Sequence, residues 1–150
     1  MAIEAPLSRY KKQNMLIIAL ILIGAGLWFA YDGHWNQAFI EEHTIDGKAD
    51  GTLEFNQKAP PFMIGAGVLL GIYFVIIRNK KVIAADNELV SGAVTVPYDA
   101  IEKINKTYFD KKGFFTITYT ENGQRKELTL RDRTYDNLPA VLDHIVSKIS

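Results

Sequence analysis

Cysteine is absent from the 150 residues, and histidine occurs only three times. The first absence removes disulfide frameworks, thiolate zinc sites and cysteine nucleophiles together. Net charge is absent as well, since 17 Lys and Arg balance 17 Asp and Glu. Evenly spread, such a balance argues against a polybasic nucleic-acid binder and against an acidic disordered tail. The charges are not evenly spread. No charged residue occurs from Gln13 to Tyr31, and none from Ala59 to Ile77. The length allows one ordinary domain, or a smaller domain with an appendage.

Each uncharged stretch has 19 residues and would span about 28 Å as a helix, close to the ~30 Å hydrocarbon core of a bilayer. Both are apolar on every face, and a chain of this size has too little polar surface to wrap two such helices as core. Both therefore read as transmembrane helices, over 13–31 and 59–78. Trp28 and Tyr31 fall where the first leaves the hydrocarbon, and Pro60 and Pro61 open the second, where missing N–H groups cost least. A cleavable signal peptide is the rival for the first stretch. Its apolar run is long for that role, and bulky Trp28 stands where a small residue is wanted.

Basic residues set the expected orientation. Arg9, Lys11 and Lys12 precede the first stretch, and Arg78, Lys80 and Lys81 follow the second. The connection over 32–58 carries Lys48 and Lys58 against Asp32, Glu41, Glu42, Asp46, Asp50 and Glu54. Positive residues mark the cytoplasmic side and anchor at lipid headgroups. The expectation is an inner-membrane protein with both termini cytoplasmic, a short segment over 1–12, an acidic extracytoplasmic loop and a cytoplasmic domain over 79–150. In the helical hairpin, Ala19, Gly26 and Ala30 lie near one face, and Gly67 and Gly71 form a G-x-x-x-G. Small residues permit close approach of helices in lipid. Packing within the hairpin is favoured slightly over an interface with another chain.

Beyond Arg78 the pattern turns to short β-rich runs. Phe114–Thr120 and Arg125–Arg131 flank Asn122-Gly123, the pair that a type I′ hairpin turn prefers. That turn sets Ile117 opposite Leu128 and Phe115 opposite Leu130 on an apolar face. Thr116 then faces Thr129, and Thr118 faces Glu127, on a polar one. Earlier runs over 82–85, 88–91, 93–96 and 104–109 bring the total to about six strands. A helix then follows, with Leu138, Val141, Leu142, Ile145 and Ile149 as its apolar stripe and Asp136 as the expected N-cap. The fold class is an α+β membrane protein, its sheet half-closed or orthogonally packed beneath a C-terminal helix.

This order, together with Val96-Pro-Tyr-Asp-Ala-Ile101-Glu-Lys-Ile104, resembles membrane-anchored bacterial PH-like domain proteins. The resemblance covers roughly Lys81 to Ser150 as a domain and the whole chain as an architecture. It implies a PH-like barrel generally without enzymatic chemistry, and transfers no ligand residues.

The residues themselves point to no reaction. No G-x-S-x-G, P-loop or strand-to-helix G-x-G-x-x-G occurs. His34 and His43 with Asp32, Glu41 and Glu42 lack metal-site spacing, and Asp46 to Glu54 lacks the oxygen pattern of a calcium loop. His144 is expected at the surface. Phosphoinositide is not expected, because Ala85-Asp86-Asn87-Glu88 is acidic where eukaryotic PH domains place basic residues. The small basic turn Lys111-Lys112 reads as solvated. Nucleic acid is excluded on charge, with nine basic and ten acidic residues over 82–150. The expected function is a non-enzymatic membrane protein, without cofactor or metal, presenting an interaction or scaffolding domain. Its partners would be the lipid bilayer and a second copy or a membrane complex. The alternatives are an accessory subunit of such a complex and a cation- or lipid-sensing protein.

Overall fold

A computed structural model describes all 150 residues. In chain order the elements are β1 (Ile3–Pro6), α1 (Arg9–His34), α2 (Gln37–Glu42), β2 (Thr44–Ile45), β3 (Lys48–Ala49), α3 (Gly51–Lys58), α4 (Pro60–Ile77), β4 (Lys81–Ala84), β5 (Glu88–Ser91), β6 (Val94–Pro97), a 3-10 turn (Tyr98–Ala100), β7 (Ile101–Asn105), α5 (Phe109–Lys112), β8 (Phe114–Glu121), β9 (Gln124–Arg131) and α6 (Leu138–Ile149). The chain divides into two units, Gln13–Ile76 and the combination of Met1–Lys12 with Ile77–Ser150. It is an α+β protein, and two of its helices, Arg9–His34 and Gly51–Ile77, are long and apolar enough to cross a membrane.

The β-rich unit is an antiparallel structure of seven strands. One sheet has the order β1-β4-β5-β6 and the other β7-β8-β9. The β8–β9 hairpin has the register that its turn chemistry dictates, with Ile117 opposite Leu128 and Thr116 opposite Thr129. Asn122 and Gly123 both take positive φ, 52° and 74°, as a type I′ turn requires. Apolar residues of both sheets, among them Val82, Leu89, Val96, Phe115, Ile117 and Leu130, form one core with Leu138, Val141, Leu142 and Ile145 of α6. Each such side chain contributes about 1.5–3 kcal/mol of burial. The helix thus covers the sheets with the stripe read from its spacing, except that Ile149 at its last turn is exposed.

Three local expectations change, and the 1–12 segment, to which the sequence assigns no secondary structure, joins the sheet: β1 pairs with β4, and Ala5 and Leu7 are buried. Its outer side is sewn to the chain before α6, Ser8 N–H donating to Thr134 O and Asp136 N–H to Pro6 O. Asp136 does not cap α6. Asn137 holds that position in the left-handed region, and the Asp136 carboxylate accepts the N–H of Arg9 at 3.0 Å. The strand expected over 104–109 lies at Ile101–Asn105, displaced by a bulge between Ile101 and Lys103, and 109–112 is helical. His144 is half-buried, and its Nε2 donates to Ala85 O at 3.1 Å.

In the other unit, the connection over 32–58 is ordered secondary structure rather than open loop. Asp46 and Gly47, both at positive φ, turn the tiny β2–β3 hairpin. Asp50 then caps α3 by accepting the N–H of Leu53 at 2.9 Å. Helical structure therefore begins at Gly51, ahead of the uncharged stretch, as α3. Pro60 and Pro61 open α4, where missing N–H groups cost least, and Ala59 separates the two helices.

Candidate functional site

The apolar helices pack through small residues at a seven-residue interval. The buried positions of α1 are Ala19, Gly26 and Gly33. A Cβ on Gly26 would stand 2.7 Å from Ile64 Cγ1, and one on Gly67 2.9 Å from the carbonyl of Ala19. A Cβ on Gly33 would meet the Asn56 carbonyl at 2.6 Å, at the turn where the prolines free backbone oxygens. Gln57 Nε2 closes the same place by donating to Gly33 O at 3.1 Å. Of the five residues expected to pack the hairpin, Ala19, Gly26 and Gly67 do so. Ala30 is half-buried, and a Cβ on Gly71 would meet nothing within 4 Å. Gly33 and Asn56 were missed because both lie outside the uncharged stretches. The seven-residue spacing from Ala19 was the available signal.

At the ends of α2 and α3, His43 Nδ1 lies 2.7 Å from Asp50 Oδ2. The N–H of Leu53, then His43, hold the Asp50 carboxyl below its ordinary value. Both Asp50 oxygens are thus committed to structure. Trp28 Nε1 donates to Asp32, and Glu54 pairs with Lys58. No three acidic or histidine side chains converge as metal ligands would.

In the β-rich unit, charge is segregated along the β1–β4 pair. Pro6 stands opposite Lys81, and the N–H of Leu7 donates to Lys80 O at 2.9 Å. The start of α1 and the end of α4 therefore lie at one end of that pair. Arg9, Lys11, Lys12, Arg78 and Lys80 gather there without an ion-pair partner, while Lys81 is paired with Glu4 at 2.6 Å. At the far end, Asp86 receives the Met1 ammonium at 2.9 Å and Lys148 at 3.4 Å. The ammonium first, then Lys148, lower its carboxyl below the ordinary range.

Beside the start of α1 lies a groove of about 490 Å³, lined by Ser8 and Tyr10, by Phe109 to Gly113, and by Asp132, Arg133 and Asp136. The turn Lys111-Lys112, read as merely solvated, is brought here with Arg133. Gly113, at φ 68°, closes α5. The Asp132 carboxylate sits against it where any Cβ would collide. The bonds from Ser8 N–H to Thr134 O, from Arg9 N–H to Asp136 and from Asp132 N–H to Gly113 O bring these segments together, and no local pattern signals them. Comparison of the chain with models of protein families, with curated proteins and with solved structures gives no match.

Proposed function

We propose that this chain is a non-enzymatic integral protein of the cytoplasmic membrane. Its two apolar helices form a transmembrane hairpin that presents a cytoplasmic PH-like domain as an interaction or scaffolding module. One observation carries the reading: β1, before the first apolar helix, is hydrogen-bonded into the same sheet as β4, after the second. Segments joined in one sheet occupy one side of a membrane. The helices between them must then cross twice or not at all, and exposed Leu20, Ile21, Leu69, Val75 and Ile76 speak for crossing. The unpaired basic residues at that end favour the cytoplasm for it. The PH-like assignment is supported by two antiparallel sheets sharing one core with a C-terminal helix.

The reading is tested by alkaline extraction of membranes followed by trypsin treatment of inverted vesicles. The chain should remain with the membrane fraction, and the β-rich unit should be digested only where the cytoplasmic face is outward. Release by alkali, or digestion from the opposite face, would overturn it. A second reading, an accessory subunit of a larger membrane complex, is favoured by Gly24, Gly65 and Gly71, at which a Cβ would meet nothing within 4 Å. These positions leave close-approach surface for another helix. Native mass measurement after mild extraction separates the two: a monomer or homodimer supports the first, and a stoichiometric foreign subunit the second.

A further inference from the structure

Resting on the membrane reading above, we propose that the groove at the start of α1 binds the phosphoethanolamine headgroup of a bilayer lipid. The groove opens beside Ser8 and Tyr10, where the chain passes from sheet to apolar helix. On that reading this is the level of the lipid headgroups. Its volume, about 490 Å³, suits a small polar group.

One part of the lining suits a phosphate. Lys111, Lys112 and Arg133 are exposed and form no ion pair. The first intrahelical bond of α1 runs from Lys12 N–H to Ser8 O, and Asp136 takes the N–H of Arg9. The N–H groups of Tyr10 and Lys11 are thus left at the positive end of a 26-residue helix. Ser8 lines the same groove although only 3% exposed, and its hydroxyl enters no protein hydrogen bond.

The other part of the lining does not suit a simple anion. Asp110 and Asp132 face the same space and form no ion pair, and a third carboxylate, Asp136, lines it while accepting the N–H of Arg9. Cations and carboxylates line one groove without pairing to each other. A ligand bearing both a phosphate and an ammonium satisfies both sets, whereas an anionic headgroup without an ammonium, such as phosphoglycerol, meets the carboxylates with no cation to offer them. A primary ammonium also donates hydrogen bonds to carboxylates, which a choline cannot do.

The test uses the full chain in mild detergent, incubated with phosphatidylethanolamine, phosphatidylcholine and phosphatidylglycerol at equal concentration, with bound lipid read by native mass spectrometry. Phosphatidylethanolamine should dominate. Lys111→Ala with Lys112→Ala should lower its occupancy about tenfold, the worth of a charge-assisted hydrogen bond. Asp110→Asn with Asp132→Asn should abolish its advantage over phosphatidylcholine. Preference for phosphatidylglycerol, equal binding of all three, or indifference to either pair of substitutions would overturn the proposal. Soluble glycerophosphoethanolamine and inorganic phosphate form two further arms. The first should compete with the lipid and the second should not, and displacement by phosphate alone would identify a plain anion site. Alkaline extraction fails separately: a chain released from membranes that still selects glycerophosphoethanolamine would refute the anchoring reading and the lipid source, not the groove's chemistry.

Discussion

Pro6 stands opposite Lys81 in the antiparallel pairing of β1 with β4, so the chain leaves the sheet into one apolar helix and returns from the other beside its own departure point. The first strand is therefore an integral part of the β-rich unit. Ala5→Asp, which would bury an unpaired carboxylate at a fully buried position, should destabilise that unit by about 3 kcal/mol or more. Amide hydrogen exchange over 81–84 should accelerate in this variant, and unchanged protection would show that β1 is dispensable.

The hairpin contacts predict a split among glycines that the sequence treats alike. Gly26→Leu and Gly67→Leu place side chains against Ile64 and the Ala19 carbonyl, and each should cost about 1–3 kcal/mol by overpacking. Gly71→Leu meets open space and should be near neutral. Thermal unfolding in detergent micelles measures all three, and equal effects would contradict the packing described.

The Asp50 carboxyl is held low by the N–H of Leu53, then by His43. A group with a depressed folded pKa stabilises above its unfolded value, near pH 4, and loses that contribution as pH falls through the folded value. Protection of the Leu53 amide, its exchange relative to an unstructured chain at the same pH, should therefore be high at neutral pH and fall below about pH 4. Asp50→Asn should flatten this dependence, and a variant that keeps the acid transition would assign it to another group.

Tyr98 behaves in the opposite sense. Burial first, then Asp86 and Glu88, raise its phenol above the ordinary value, so its contribution is complete below about pH 10 and declines as pH rises through the folded value. Its hydroxyl donates to Ala85 O at 2.8 Å. Tyr98→Phe should cost about 1 kcal/mol at neutral pH and remove this alkaline loss, as followed by chemical denaturation.

The features legible in the sequence were those set by neighbours along the chain. The Asn122-Gly123 turn fixed a register that holds across all of β8 and β9, and the stripe from Leu138 to Ile145 found its core. Features set by distant partners were not legible. Ile3–Pro6 is four residues long and carries little alternation, so its place in the sheet depends on Lys81–Ala84. Asp136 has the chemistry of an N-cap, yet it serves Arg9, 127 positions away. Gly33 escaped notice because Asp32 ended the uncharged stretch before it. The Lys111-Lys112 turn is solvated as its sequence reads, but its place beside Ser8 and Arg133 depends on distant partners.

The absence of native cysteine makes the central claim directly measurable with single substitutions. Ala2→Cys, Lys48→Cys and Gln124→Cys, all at exposed positions, are probed with a membrane-impermeant maleimide in intact spheroplasts and again after lysis. The account predicts labelling of Lys48→Cys in intact spheroplasts and of Ala2→Cys and Gln124→Cys only after lysis. Labelling of Ala2→Cys and Gln124→Cys from opposite sides, or of all three from one side, would contradict it.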